Sequence, residues 1–145
     1  MLDNVDVNNG KGYQVLPIPV NLVLLQTSAL VLMDGFIPGF DGKIVKMEFL
    51  TNTPGTGTGA SQTISAEITK DDGDVVAPNG GVLSLLLADT TPTGNIKLAT
   101  EIDGDDRKNL FTKTESISIN VAASGTAFTA GSGVLLITLQ NRQNF

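Results

Sequence analysis

Residues 42–70 read GKIVKMEFLTNTPGTGTGASQTISAEITK: two alternating runs flank a stretch, Thr51 to Ser61, built only from Thr, Asn, Pro, Gly, Ala and Ser. In the first run Val45, Met47 and Phe49 fall on one side and Lys46 and Glu48 on the other, the period of a strand with one wet face. In the second, Ile64, Ala66 and Ile68 alternate with Thr63, Ser65, Glu67 and Thr69. The stretch reads as strand, long small-residue loop, strand. Ser116 to Gln140 repeats the device: Ile117, Ile119 and Val121 alternate, a Ser/Gly/Thr-rich connection surrounds Phe128, and Val134 to Leu139 forms a closing run.

Working outward, Asp72-Gly73 and Asn79-Gly80 mark tight turns before Val82 to Ala88, because these pairs supply positive φ at little cost. Leu83, Leu85 and Leu87 are expected to share one face of that strand. Val20 to Leu25 and Ala29 to Met33, split by Gln26, Thr27 and Ser28, are short enough to be buried strands. Ile96 and Leu98 suggest another short strand, and Asp103 to Asn109 a charged connection. About eight strands with regular turn signals predict an all-β protein, an antiparallel β-sandwich of jelly-roll type.

Met1 to Gly12 is polar and lacks periodicity, whereas Tyr13 to Pro19 sets Val15, Leu16 and Ile18 among prolines. Proline cannot donate to a ladder, so this is an extended edge segment. Residues 1–18 are therefore expected to form an extended N-terminal arm on a single sandwich domain, 19–145. Tyr13, Leu16 and Ile18 are its expected partner contacts, by strand-type docking. On that expectation, deleting residues 1–18 leaves a folded domain that no longer binds its partner.

Composition narrows the function. Leu, Ile, Val and Phe make up 45 of the 145 residues, enough for a real core. The net charge of −6 and nine dispersed basic residues speak against nucleic acid, whose nonspecific affinity comes from Lys and Arg releasing counterions. Pro17, Pro19 and the polar triplet 26–28 interrupt the apolar stretch 15–33, which speaks against a membrane span. Asp3 and Asp6 replace the basic start of a signal peptide.

No reactive constellation emerges. The chain has no His and no Cys, so a Ser or Thr nucleophile lacks its usual base and thiolate metal sites are excluded. Asp71, Asp72 and Asp74, with Asp103, Asp105 and Asp106, miss the spacing of a calcium loop and read as turn carboxylates. Glu48 and Glu67 are the one pair that could flank a glycosidic bond, yet one Tyr and no Trp leave few platforms for a sugar. Gly55, Gly57 and Gly59 lack the Gly-Lys-Ser/Thr and helix that a phosphate loop needs. No catalytic residue, metal site or cofactor is expected, and the chain is read as not an enzyme.

Pro38-Gly39-Phe40-Asp41-Gly42-Lys43-Ile44 leading into Glu48-Phe49, then Pro54 to Ser61, and later Ala127 to Gly133 before the final strand, resemble small jelly-roll structural proteins of tailed bacteriophages. The likeness spans most of residues 15–142. It implies a virion component made in the host cytoplasm and placed on the outer capsid surface. There a homotrimer would decorate or cement the shell by bridging neighbouring subunits of the major capsid protein. A tail or fibre adhesin domain, binding a host receptor or glycan through its loops, is the alternative. The resemblance carries no catalytic motif.

Overall fold

Alternation of apolar residues with Ser and Thr folds the chain into strands that pair almost entirely with partners distant in sequence, in a computed structural model that describes residues 12–25, 30–122 and 125–142. In chain order the strands are β1 (Tyr13–Asn21), β2 (Leu30–Phe36), β3 (Gly42–Thr56), β4 (Ser61–Thr69) and β5 (Val75–Val76). They continue with β6 (Leu83–Leu86), β7 (Ile96–Leu98), β8 (Leu110–Phe111), β9 (Ser116–Val121) and β10 (Ala130–Asn141). Every pairing among them is antiparallel. The first sheet runs β1-β10-β3-β7, with β8 also on β3; the second runs β2-β9-β4-β5, with β6 also on β4. The chain is an all-β antiparallel sandwich.

One core lies between the sheets. Phe49, Met47 and Ile44 of β3 and Leu135, Ile137 and Leu139 of β10 meet Ile64 and Ile68 of β4 and Ile117 and Ile119 of β9. Phe111 of β8 and Phe128, ahead of β10, are buried in the same core. Ile44, rather than Val45, takes the inward place at the start of β3. A register shift between Thr138 and Leu139 opposite Lys46 and Ile44 lifts Val45 out of the alternation, as a bulge does.

The long loop expected over Thr51 to Ser61 is much shorter. β3 continues to Thr56, and only residues 57–60 turn, closed by the Ala60 N–H donating to the Gly57 carbonyl at 3.1 Å. Pairing with β10 draws the small residues into the sheet, and close approach explains why they are small. A Cβ on Gly55 would stand 2.7 Å from Thr90 Oγ1 and 2.8 Å from Phe128 Cδ1, while one on Gly131 would stand 2.7 Å from Gly55 Cα. β10 itself begins at Ala130, ahead of the expected Val134.

Two leucine runs leave the strand form where expected strands end. Leu22–Leu24 is a 3-10 turn, capped by the Asn21 side chain accepting from the Val23 N–H, and Leu87–Thr90 is a second. Leu83 and Leu85 are buried as a face of β6, but Leu87 belongs to the turn. The Asp89 carboxylate accepts from the Leu86 N–H at 2.9 Å and holds that turn.

The arm boundary expected at residue 18 falls inside β1. Residues 13–21 pair with β10 without a break, Tyr13 opposite Gln140 through Asn21 opposite Ser132, so residues 13–18 belong to the sandwich. Residues 1–11, the remainder of the expected arm except Gly12, lie outside the described residues.

Candidate interaction surface

The outward side chains of the two sheets differ in kind. On the second sheet Thr63, Ser65, Glu67 and Thr69 of β4 and Ser116, Ser118 and Asn120 of β9 alternate with the core residues. Its centre is hydroxyl-rich and internally bonded, with Ser118 Oγ donating to Asp34 Oδ1 at 3.4 Å and accepting from the Gly35 N–H at 3.1 Å, while Val31, Val75 and Leu86 are exposed on its flanking strands.

The first sheet turns apolar side chains to the outside. Register sets Pro19, Val134, Leu50 and Ile96 in one cross-strand row and Pro17, Leu136, Glu48 and Leu98 in the next. Val15, Thr138 and Lys46 make a third row. Tyr13 and Val15 are each 53% exposed, Ile96 53% and Leu98 59%. Scattered exposed apolar residues are ordinary, but a contiguous apolar face marks a contact surface. Its charges include Lys46 and Glu48, a pair 3.8 Å apart with the Lys46 side chain 55% exposed, Lys43 in the row with Tyr13 and Gln140, and Glu101 beside Lys46 and Leu98. Between β1 and β3 the face sinks into a hollow of about 480 Å³ lined by Tyr13, Val15, Val45, Lys46, Glu48 and Thr138.

The three expected contact residues divide across β1. Leu16 and Ile18 pack against the core, so their apolar surface is used inside this chain, whereas Tyr13 belongs to the outer face. Strand-type docking meets an obstacle at the free edge of β1. The Asn141 N–H donates to the Gly12 carbonyl at 2.9 Å. Antiparallel ladders bond at every second residue, so Gln14, Leu16, Ile18 and Val20 point their backbone groups at β10. Tyr13, Val15, Pro17, Pro19 and Asn21 then point theirs at the free edge, where two of the five positions have no N–H to offer.

The other candidates separate in space. Glu48 projects from the outer face of the first sheet and Glu67 from that of the second. Sheets pack about 10 Å apart, so carboxylates pointing away from both sides cannot reach the roughly 5 to 9.5 Å separation of a glycosidase pair. The acidic turns spend their carboxylates locally: Asp72 accepts from the Asp74 N–H, Asp103 from the Asp105 N–H and Asp106 from the Lys108 N–H. Among the described residues no three His, Cys, Asp or Glu side chains converge on a metal position. No helix among them is long and apolar enough to cross a membrane.

One buried charge cluster is structural. Glu115, 7% exposed, accepts from Lys70 Nζ at 3.3 Å, the Asp71 N–H at 3.2 Å and the Thr112 N–H at 2.9 Å. Lys70 Nζ also donates to the Leu110 carbonyl at 2.7 Å, so the turn after β4 is tied to β8 of the opposite sheet.

The outer face had one sequence signal, the unbroken apolar run Val134-Leu135-Leu136-Ile137, since a strand wet on one face alternates and a strand covered on both does not. Compared with protein-family models, with curated proteins and with solved structures, the chain finds no match.

Proposed function

We propose that this chain is a non-enzymatic virion structural protein that decorates the outer surface of a bacteriophage capsid and cements neighbouring subunits of the major capsid protein. The observation that carries this reading is the apolar outer face of the first sheet on a chain of net charge −6. Such a face is costly in water at roughly 25 cal/mol per Å² and is retained where something covers it. Strand order supports the jelly-roll part of the reading. If β5 with β6 and β7 with β8 each count as one interrupted strand, the sheets become 1-8-3-6 and 2-7-4-5, the order of eight strands wound as a jelly roll. The negative charge suits an outward position, away from packaged nucleic acid.

The adhesin reading gains less. The groove at the end of the first sheet, lined by Asn21, Leu24, Asn52, Thr53 and Ser132 among others, presents no aromatic side chain to a sugar. The test is co-sedimentation of the purified chain with capsids of the phage that encodes it. Saturable occupancy and a higher capsid melting temperature are expected; absence of binding at saturating concentration overturns the capsid role.

A further inference from the structure

Away from both outer faces, main-chain bonds join the two sheets along one side. Residues 99–103, continuing from β7, run beside residues 79–82, which lead into β6. The Asp103 N–H donates to the Asn79 carbonyl at 2.8 Å, the Gly81 N–H to the Thr100 carbonyl at 2.9 Å and the Thr100 N–H to the Val82 carbonyl at 3.0 Å. Asn79 and Gly80 open this strap. Asn79 is exposed, and only its backbone is engaged: no described residue bonds its side-chain amide. The Gly80 N–H likewise has no acceptor among the described residues. We propose that Asn79-Gly80 is a modification site, at which the folded chain slowly loses the Asn79 side-chain amide through a cyclic imide.

The chemistry needs no co-reactant but water. The Gly80 backbone nitrogen gives up its proton to solvent and bonds to Asn79 Cγ. The Cγ–Nδ2 bond breaks, ammonia leaves with a proton, and a five-membered succinimide ring remains. Water then opens the ring. Attack at Cγ restores the ordinary backbone with aspartate in place of asparagine, whereas attack at the main-chain carbonyl carbon leaves isoaspartate, whose backbone is longer by one carbon. No oxidation state changes. The two reacting groups belong to adjacent residues, so proximity replaces a bimolecular encounter.

The pair stands apart from similar ones in the chain. A side chain on the following residue crowds the attacking nitrogen, and Asn79 is the one asparagine among the described residues that glycine follows. The fold demands that glycine: Gly80 has a φ of +95°, and a Cβ there would overlap the Glu101 carbonyl oxygen. Asn95 and Asn109, by contrast, are held by donating to the Asp89 and Ile44 carbonyls. The Asp-Gly pairs at Asp34, Asp41, Asp72 and Asp103 all have carboxylates that accept hydrogen bonds, and an ionised carboxylate is a poorer target for a nitrogen nucleophile. The product bears on the strap. Asn79 stands opposite Asp103 in an antiparallel bridge, so a carboxylate formed at 79 faces one already there, and like charges in that position destabilise.

The test is peptide mapping of the full chain held in mildly alkaline buffer, where solvent takes the Gly80 proton more readily. The peptide containing Asn79 should gain about one dalton and split into aspartate and isoaspartate forms of equal mass. It should do so faster than the peptide containing Asn52, which is exposed but followed by Thr53. Asn79→Gln should keep its mass at this position, since the longer side chain would have to close a six-membered ring that forms more slowly. The wild-type melting temperature should fall as the modification accumulates, while that of Asn79→Gln stays constant over the same incubation. Retention of the Asn79 amide in the folded chain, under conditions where the urea-unfolded chain loses it, overturns the proposal, because the strap then shields the pair. Loss no faster than at Asn52 overturns it too. An unchanged melting temperature in the fully modified chain overturns the effect on the strap.

Discussion

At the scale of single residues, the sandwich is closed by contacts that are specific and few. Glu115 is held by one ammonium and two backbone donors while nearly buried. Replacing it with Ala strands those donors, and Lys70 keeps only the Leu110 carbonyl among its described partners. Glu115→Ala should cost about 2–4 kcal/mol in urea unfolding, and Glu115→Gln less, because the amide oxygen still accepts. Gly55→Ala should cost about 1–3 kcal/mol, since the new methyl would press on Thr90 and Phe128, both buried. Removing the Phe128 ring in the same chain should recover part of that loss, which a double-mutant cycle would read. Neither site was legible in sequence. Glu115 finds its donors 45 and 44 residues away at Lys70 and Asp71, and no spacing rule reaches that far.

At the scale of elements, β1 changes its meaning once it is seen beside β10. The apolar, proline-bearing segment read as an edge strand, and it is one; what one strand could not tell is whose sheet it edges. Because Leu16 and Ile18 pack against the core, a chain lacking residues 1–18 should lose its cooperative thermal transition instead of leaving a folded domain. Retention of that transition, followed by calorimetry, would show that β1 is dispensable. Pro17→Val with Pro19→Val returns two N–H groups to the free edge and should raise concentration-dependent scattering with little change in melting temperature. The Thr/Gly stretch shows the opposite limit: its composition argued for a loop, but pairing with β10 carries β3 to Thr56. β-propensity yields to the neighbours a strand acquires.

At the scale of the whole molecule, the terminal strands meet: β10 lies between β1 and β3, so the first sheet cannot close until the C-terminal strand arrives. Such non-local pairing should place refolding in the range of about milliseconds to seconds, measured by stopped-flow fluorescence of the single Tyr, Tyr13. A microsecond phase carrying the full amplitude would contradict it. The same closure creates two outer faces of different chemistry, one hydroxyl-rich and one apolar, and it places Glu48 and Glu67 on opposite sides of the molecule.

By itself the sequence determined that this chain is all-β. Period-two alternation at Val45 to Phe49, Thr63 to Thr69 and Ser116 to Val121 is a local property, since each residue's side depends only on its neighbours. The turn pairs at Asp72-Gly73 and Asn79-Gly80 were equally local. Only the tertiary structure decided which strands share a sheet, which carboxylates are neighbours and what Leu98, Leu136 and Pro17 form together. These residues lie far apart along the chain and become one surface only when β10 pairs with β1 and β3 and β7 joins β3. Register between distant strands is set by the fit of the entire core, and no window of sequence contains it.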